Sequence, residues 1–194
     1  NERETTAPYF EKFIWNKIQS SKTASVKKSY FNAFYTTVTT PNGIENLYKI
    51  WNKSFSITGL NISKNDFTEI AFELAIRNHQ NANNILTEQK DRIINKEKKE
   101  RFNFITQAIT NRDSFFESIK DEKNREKEPW VIDALKYLHH PLYQKESVKY
   151  IIPSLEIMEE LQATGDIFFP KRWLDATFSG HSSIDAVIDI NLFF

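Results

Sequence analysis

The sequence contains no cysteine, which removes the thiolate as nucleophile or metal ligand and rules out disulfide staples. Reducing and oxidising compartments are equally allowed, so cytoplasmic and periplasmic locations both stay open. Glycine is nearly as scarce, with four in 194 residues. Strand-rich domains need many turns at positive φ and usually more glycine than this, so the shortage favours helices. Net charge is missing too: 26 Lys and Arg balance 26 Asp and Glu. That balance removes the bulk electrostatic argument for nucleic acid or an anionic membrane surface. No apolar run approaches the ~18–20 residues of a membrane span. Asn1-Glu2-Arg3-Glu4 does not resemble a signal peptide. The chain starts without methionine, its single methionine being Met158, and it ends on the uncapped apolar run Ile190-Asn191-Leu192-Phe193-Phe194. These ends lead us to expect a processed chain or a piece of a longer one.

What is present is helical periodicity. A chain of this length fits one large domain or two tightly packed small ones, and buries roughly 70% of its unfolded surface without any staple. Phe10, Phe13, Ile14 and Ile18 follow Pro8 at the spacing of one helix face. Val26, Tyr30, Phe34 and Val38 make a second stripe, with Thr36 to Thr40 a frayed end. Asn42-Gly43 reads as a turn before a third stripe, Ile44, Leu47, Tyr48, Trp51 and Phe55. Ser63 with Asp66 is a capping-box start for Phe67, Ile70, Ala71, Leu74 and Ala75. Further helices are expected around Ile85 to Ile93, Lys96 to Ile109 with a Glu97–Arg101 ion pair, and Ser114 to Arg125. Pro129 opens the next, ended by His139-His140-Pro141. A ninth along Val148 to Met158 is kinked or restarted by Pro153.

Gly165 reads as a left-handed C-cap, and Asp166 to Phe169 as an extended hook, because Pro170 disfavours helix before it. We favour the hook as a plug into a neighbouring helix pair over a contact with another domain. A short helix through Trp173 and Phe178 then stops at Gly180, and Ser182 with Asp185 caps a last one. The expected architecture is all-α: about ten or eleven helices in stacked antiparallel hairpins, forming a curved HEAT-like superhelix over residues 1–194 as a single domain. No internal segment reads as a domain linker, the polar run from Lys120 to Glu128 being the nearest to one.

Little of the usual chemistry can be assembled. The four histidines, His79, His139, His140 and His181, include no E-x-x-H or H-x-x-x-H pair. We read them as helix-end groups bonding terminal carbonyls, with His139 and His140 pointing to different sides. Glu159-Glu160 and Asp166 could divide acid and base work only in a shared cleft that nothing predicts. Ser179-Gly180-His181-Ser182 is not a G-x-S-x-G elbow, and no glycine loop would cradle a phosphate. Lys27-Lys28 and the run Lys96 to Arg101 read as solvated faces. No catalytic, cofactor or metal residue is therefore assigned. Lys171, Arg172 and Trp173 are the candidate contacts for a peptide or another domain.

Five segments carry a resemblance: Phe67 to Arg77 (FTEIAFELAIR), Asn124 to Trp130 (NREKEPW), Ala134 to Leu142 (ALKYLHHPL), Ser147 to Ile152 (SVKYII) and Thr164 to His181 (TGDIFFPKRWLDATFSGH). Together they resemble the C-terminal helical domain of zinc aminopeptidases of the aminopeptidase N family, in its bacterial branch. The last segment is the most specific and the first is generic amphipathic helix. The family's H-E-x-x-H zinc motif and G-x-M-x-N substrate motif are absent, and a basic residue usual after HHPL is Tyr143 here. The resemblance implies a non-catalytic lid that encloses peptides over a zinc-bearing catalytic domain of the same polypeptide, with no zinc held by this chain. The alternative is a free-standing HEAT-like scaffold for protein–protein interaction.

Overall fold

The computed structural model describes residues 2–193, apart from the side chains of residues 2–4, 185, 189 and 192. Among the described residues the regular elements are all helical, with no strand. The glycine-poor composition and the helical stripes demand this outcome. The chain forms two compact units, Asn1–Arg92 and Ile93–Phe194. The division falls in the short connection between the helices Ala82–Arg92 and Lys96–Thr110, where neither proline nor glycine marks it. The polar run at 120–128 lies inside the second unit.

The first unit contains α1 (Glu2–Ser20), α2 (Ala24–Thr37), α3 (Pro41–Trp51), α4 (Lys64–Ile76) and α5 (Ala82–Arg92). Consecutive pairs pack together: α1 on α2, α3 on α4 and α4 on α5. Ile14, Ile18, Phe31, Phe34, Leu47, Trp51, Ile70, Leu74 and Ile85 form its core. Complete burial of each large apolar side chain is worth about 1.5–3 kcal/mol.

Two expected faces are displaced, for one reason. Phe10, Phe13 and Val26 are exposed, whereas Glu11 and Lys27 are buried. Both buried charges serve helix ends. The Glu11 carboxylate accepts the N–H groups of Thr39 at 2.6 Å and Thr40 at 3.0 Å, just before α3. Lys27 Nζ donates to the carbonyls of Ile18 at 3.1 Å and Gln19 at 3.2 Å, closing α1. Polar side chains that satisfy orphan backbone groups occupy inward positions that a hydrophobic stripe cannot register. Lys27-Lys28 is accordingly not a solvated face; Lys28 pairs with Asp66.

Other local expectations change with context. α1 starts before Pro8 and carries it internally. Asn42-Gly43 is the first turn of α3, not a turn between helices, because Thr40 Oγ1 accepts the Gly43 N–H at 3.1 Å. α3 ends at Trp51, so Phe55 lies beyond it, packed on Trp15 at 6.0 Å between ring centroids. The Ser63–Asp66 capping box opens α4 as expected.

In the second unit, α6 (Lys96–Thr110) and α7 (Arg112–Ile119) are followed by α8 (Glu128–Leu138). The chain then breaks into short pieces: α9 (Gln144–Ser147), α10 (Ile151–Glu156) and α11 (Met158–Thr164), with 3₁₀ turns at Pro141–Tyr143 and Val148–Tyr150. α12 (Phe169–Phe178) and α13 (Ile184–Phe193) complete it. The central α8 packs on both α6 and α12, and α10 packs on α12 and α13. Arg101 on α6 reaches Asp133 on α8 at 2.7 Å.

α7 stops at Ile119 rather than running to Arg125. The Arg125 guanidinium turns back on the helix end, donating to the carbonyls of Ile119 and Lys120 at 2.8 and 2.6 Å while also pairing with Glu160. Gly165 is extended, not left-handed; a Cβ there would crowd the Leu161 carbonyl and the Phe169 ring, each 2.8 Å away. The hook is a turn rather than extended chain. Asp166 Oδ1 accepts the Phe168 N–H at 2.9 Å, and the Asp166 carbonyl accepts that of Phe169 at 2.8 Å. This places Pro170 in the first turn of α12, where its missing N–H costs nothing. Ser183, one residue past the expected Ser182, caps α13 by accepting the Ala186 N–H at 3.2 Å. The expected Asp185 side-chain cap lies outside the described residues.

Candidate functional site

The polar centre of the second unit is built where three segments meet. α8 ends at Leu138, delivering His139 as its C-cap with the ring inward, 1% exposed. After α12, Gly180 brings the backbone so close that a Cβ would overlap the His139 carbonyl oxygen. That approach sets His181 Nε2 2.9 Å from His139 Nδ1. Arg112, at the start of α7, donates to the Leu138 carbonyl at 2.8 Å and lies over the Tyr143 ring at 4.0 Å. A basic residue at position 143 would face that guanidinium. Tyr150 packs edge-on to His139 at 6.1 Å between centroids and donates its hydroxyl to Asp113 at 2.6 Å.

Electrostatics keep both imidazoles neutral. Burial first, then the nearby His181 and Arg112, hold His139 down to about 3. Burial also lowers His181, and burial lowers Arg112 from its ordinary value against the pull of Tyr143, Tyr150 and Glu146. A neutral imidazole pair shares one hydrogen bond, one ring donating and the other accepting. The outer ring nitrogens, His139 Nε2 and His181 Nδ1, and Arg112 Nη2 are buried without a hydrogen-bond partner. The arrangement can bind or release protons. It presents no nucleophile activated by a neighbouring base.

The remaining histidines act locally. His140 Nδ1 accepts the Leu142 N–H at 3.2 Å, so His139 and His140 do point apart. His79 stacks on Tyr48 at 4.5 Å and accepts the Asn81 N–H at 3.2 Å. His79 and His140 thus each accept a backbone N–H where bonds to terminal carbonyls were expected, whereas His139 and His181 bond each other. Glu160 pairs with Arg125, and Glu128 accepts the Asp166 N–H at 2.8 Å. Among the described residues, no group of three or more His, Asp or Glu side chains could hold a metal.

Lys171, Arg172 and Trp173 do not share one face. Lys171 is exposed and pairs with Asp175 at 2.6 Å. Arg172 lies 5.8 Å from the centre of the Phe168 ring. Trp173 is fully buried, edge-on to Phe169 at 6.0 Å. The hook divides in the same way: Phe169 is buried as a plug, while Ile167 is 84% and Phe168 58% exposed. Phe168, Lys171 and Arg172 thus form an outward patch of mixed apolar and basic character.

The His139–His181 pair spans 42 positions in sequence, so no local spacing could announce it. Its only trace is that both residues fall in resembling segments. Among the described residues no helix is long and apolar enough to cross a membrane. Comparison with protein-family models, with curated proteins and with solved structures finds no match to the chain.

Proposed function

We propose that this chain is the non-catalytic C-terminal lid of a zinc-dependent aminopeptidase, shaping access to an active site carried by another domain of the same polypeptide. One observation carries the reading: four of the five resembling segments are bonded or packed to one another. Glu128 in NREKEPW accepts the Asp166 N–H of TGDIFFPKRW, His139 in ALKYLHHPL bonds His181 at the other end of that segment, and Tyr150 in SVKYII packs on His139. A likeness carried mainly by residues that interlock is a likeness of architecture, which is what a lid without catalytic groups would retain. On this reading the helices stack as antiparallel hairpins in a curved, HEAT-like superhelix whose concave face encloses peptide. The outward patch of Phe168, Lys171 and Arg172 faces peptide or the catalytic domain, and zinc is held there by residues outside this chain. Inter-domain contacts of moderate polarity permit the hinge opening that a lid needs.

Incubated alone with zinc and aminoacyl-coumarin substrates, the chain should give no turnover; chelator-sensitive release would overturn the assignment. An H-E-x-x-H sequence some hundreds of codons upstream in the same reading frame is expected. A start codon directly before Asn1 would instead favour a free-standing helical scaffold that binds another protein. That second reading draws on the same exposed Ile167 and Phe168.

A further inference from the structure

The residues joining α12 to α13 are fastened one after another to the end of α8 and the start of α9. Gly180 lies against the His139 carbonyl, His181 bonds His139, and the Ser182 N–H donates to Gln144 Oε1 at 3.1 Å. Beyond this staple, α13 holds on through a small apolar cluster, in which Ala186 is buried with Ile151 and Leu155 and Ile190 packs alongside. Among the described side chains of α13, Ile184, Val187 and Ile188 are exposed. The imidazole pair is thus a buried polar link at the point where the last helix leaves the core.

We propose that the His139–His181 pair is an acid-opened latch, whose protonation releases the 180–193 segment while the α6–α8–α12 core stays folded. The chemistry is set by lone pairs. A first proton leaves an N–H···N bond between the rings but places a charge in a buried site facing the Arg112 guanidinium. A second removes the accepting lone pair, so that two N–H groups oppose each other across 2.9 Å. The groups facing the pair from the neighbouring elements do not offset this. Arg112 on α7 is cationic. Asp113 is engaged by Tyr150 and Lys149, and Glu146 acts on Arg112. Burial keeps the Tyr150 phenol protonated, and His140 is occupied with the Leu142 N–H.

The sign follows from linkage. Both histidines titrate below the ordinary value of 6.5 when latched, with burial as the leading cause, and departure of 180–193 relieves that burial. The open state therefore binds more protons below the ordinary value of 6.5, and acid favours opening. The latch is complete above that value and weakens as pH falls, by up to about tenfold per pH unit for each histidine. His139 sustains the effect towards its folded value of about 3.

Hydrogen exchange of the full chain at pH 7.5, 6.0 and 5.0, corrected for intrinsic rates, reads the opening directly. Protection over 181–193 should fall by at least tenfold between pH 6.0 and 5.0, with 131–138 unchanged. His181→Gln, at a half-buried position, keeps a polar partner for His139 and should lower that pH dependence. Ring NMR should show His139 still neutral at pH 5.0 in the folded chain. The proposal is overturned by pH-independent protection, by loss of protection across the whole second unit together, by full pH dependence in His181→Gln, or by a His139 that titrates near 6.5.

Discussion

Glu73 and Arg77 meet within one turn of α4, both almost completely buried. Burial pushes the Glu73 carboxyl up to about 7, and the Arg77 guanidinium pulls it only partly back. Arg77 is itself held by the carbonyls of Val38 at 2.5 Å and Thr36 at 3.0 Å, so it closes the end of α2 as well as facing Glu73. The raised value has a definite sign. The folded state binds the Glu73 proton more tightly than the unfolded chain, so this group's contribution is fully present below 4.5 and lost as pH rises through about 7. Glu73→Gln removes that titration. The urea midpoint of the wild type should fall relative to that of Glu73→Gln between pH 5 and pH 8. Parallel pH profiles for the two proteins would show that the carboxyl titrates normally.

Helices in the first unit are joined by polar links that no stripe discloses. Trp51 on α3 donates its indole N–H to Gln89 Oε1 on α5 at 3.0 Å, and Gln89 donates in turn to Thr68 on α4 at 3.2 Å. Arg92 covers the Trp51 ring at 4.2 Å. A buried glutamine at 2% exposure thus bonds to two helices at once. Gln89→Leu keeps the volume but orphans the indole donor, at a cost of about 1–3 kcal/mol. Chemical denaturation followed by tryptophan fluorescence should register that loss, and a cost under about 0.5 kcal/mol would mean the network carries no weight. The second unit uses the same device at Arg125, whose guanidinium ends α7 and ties it to Glu160 on α11.

At the scale of the molecule, each unit carries its own core: Phe31, Phe34, Trp51 and Ile70 in one, and Phe102, Phe116, Leu135 and Trp173 in the other. Each also meets its buried charges internally, Glu73 with Arg77 in the first and Arg125 with Glu160 in the second. Residues 1–92 and 93–194 expressed separately should therefore each give helical circular dichroism and a cooperative thermal transition. Dispersed methyl signals in the NMR spectrum of each fragment would check this. A fragment that melts without a transition would show that its core is incomplete.

Helical class was legible because it rests on properties each segment carries alone: scarce glycine, a period of 3.6, and a Ser63–Asp66 cap that works within four residues. The start of α3 and the end of α7 were not, since they depend on Glu11 and Arg125 arriving from other segments. Those side chains are polar and buried, so a pattern that equates inward with apolar misplaces the faces bearing them. The resemblance drew attention to the stretches around His139 and His181, but only the packing of Gly180 against α8 brings the two rings together. The sequence by itself determined that this protein is helical, because helix formation answers to neighbours along the chain. The tertiary structure decided which charges are buried and which imidazoles meet, because desolvation and long-range hydrogen bonds exist only once the helices are packed.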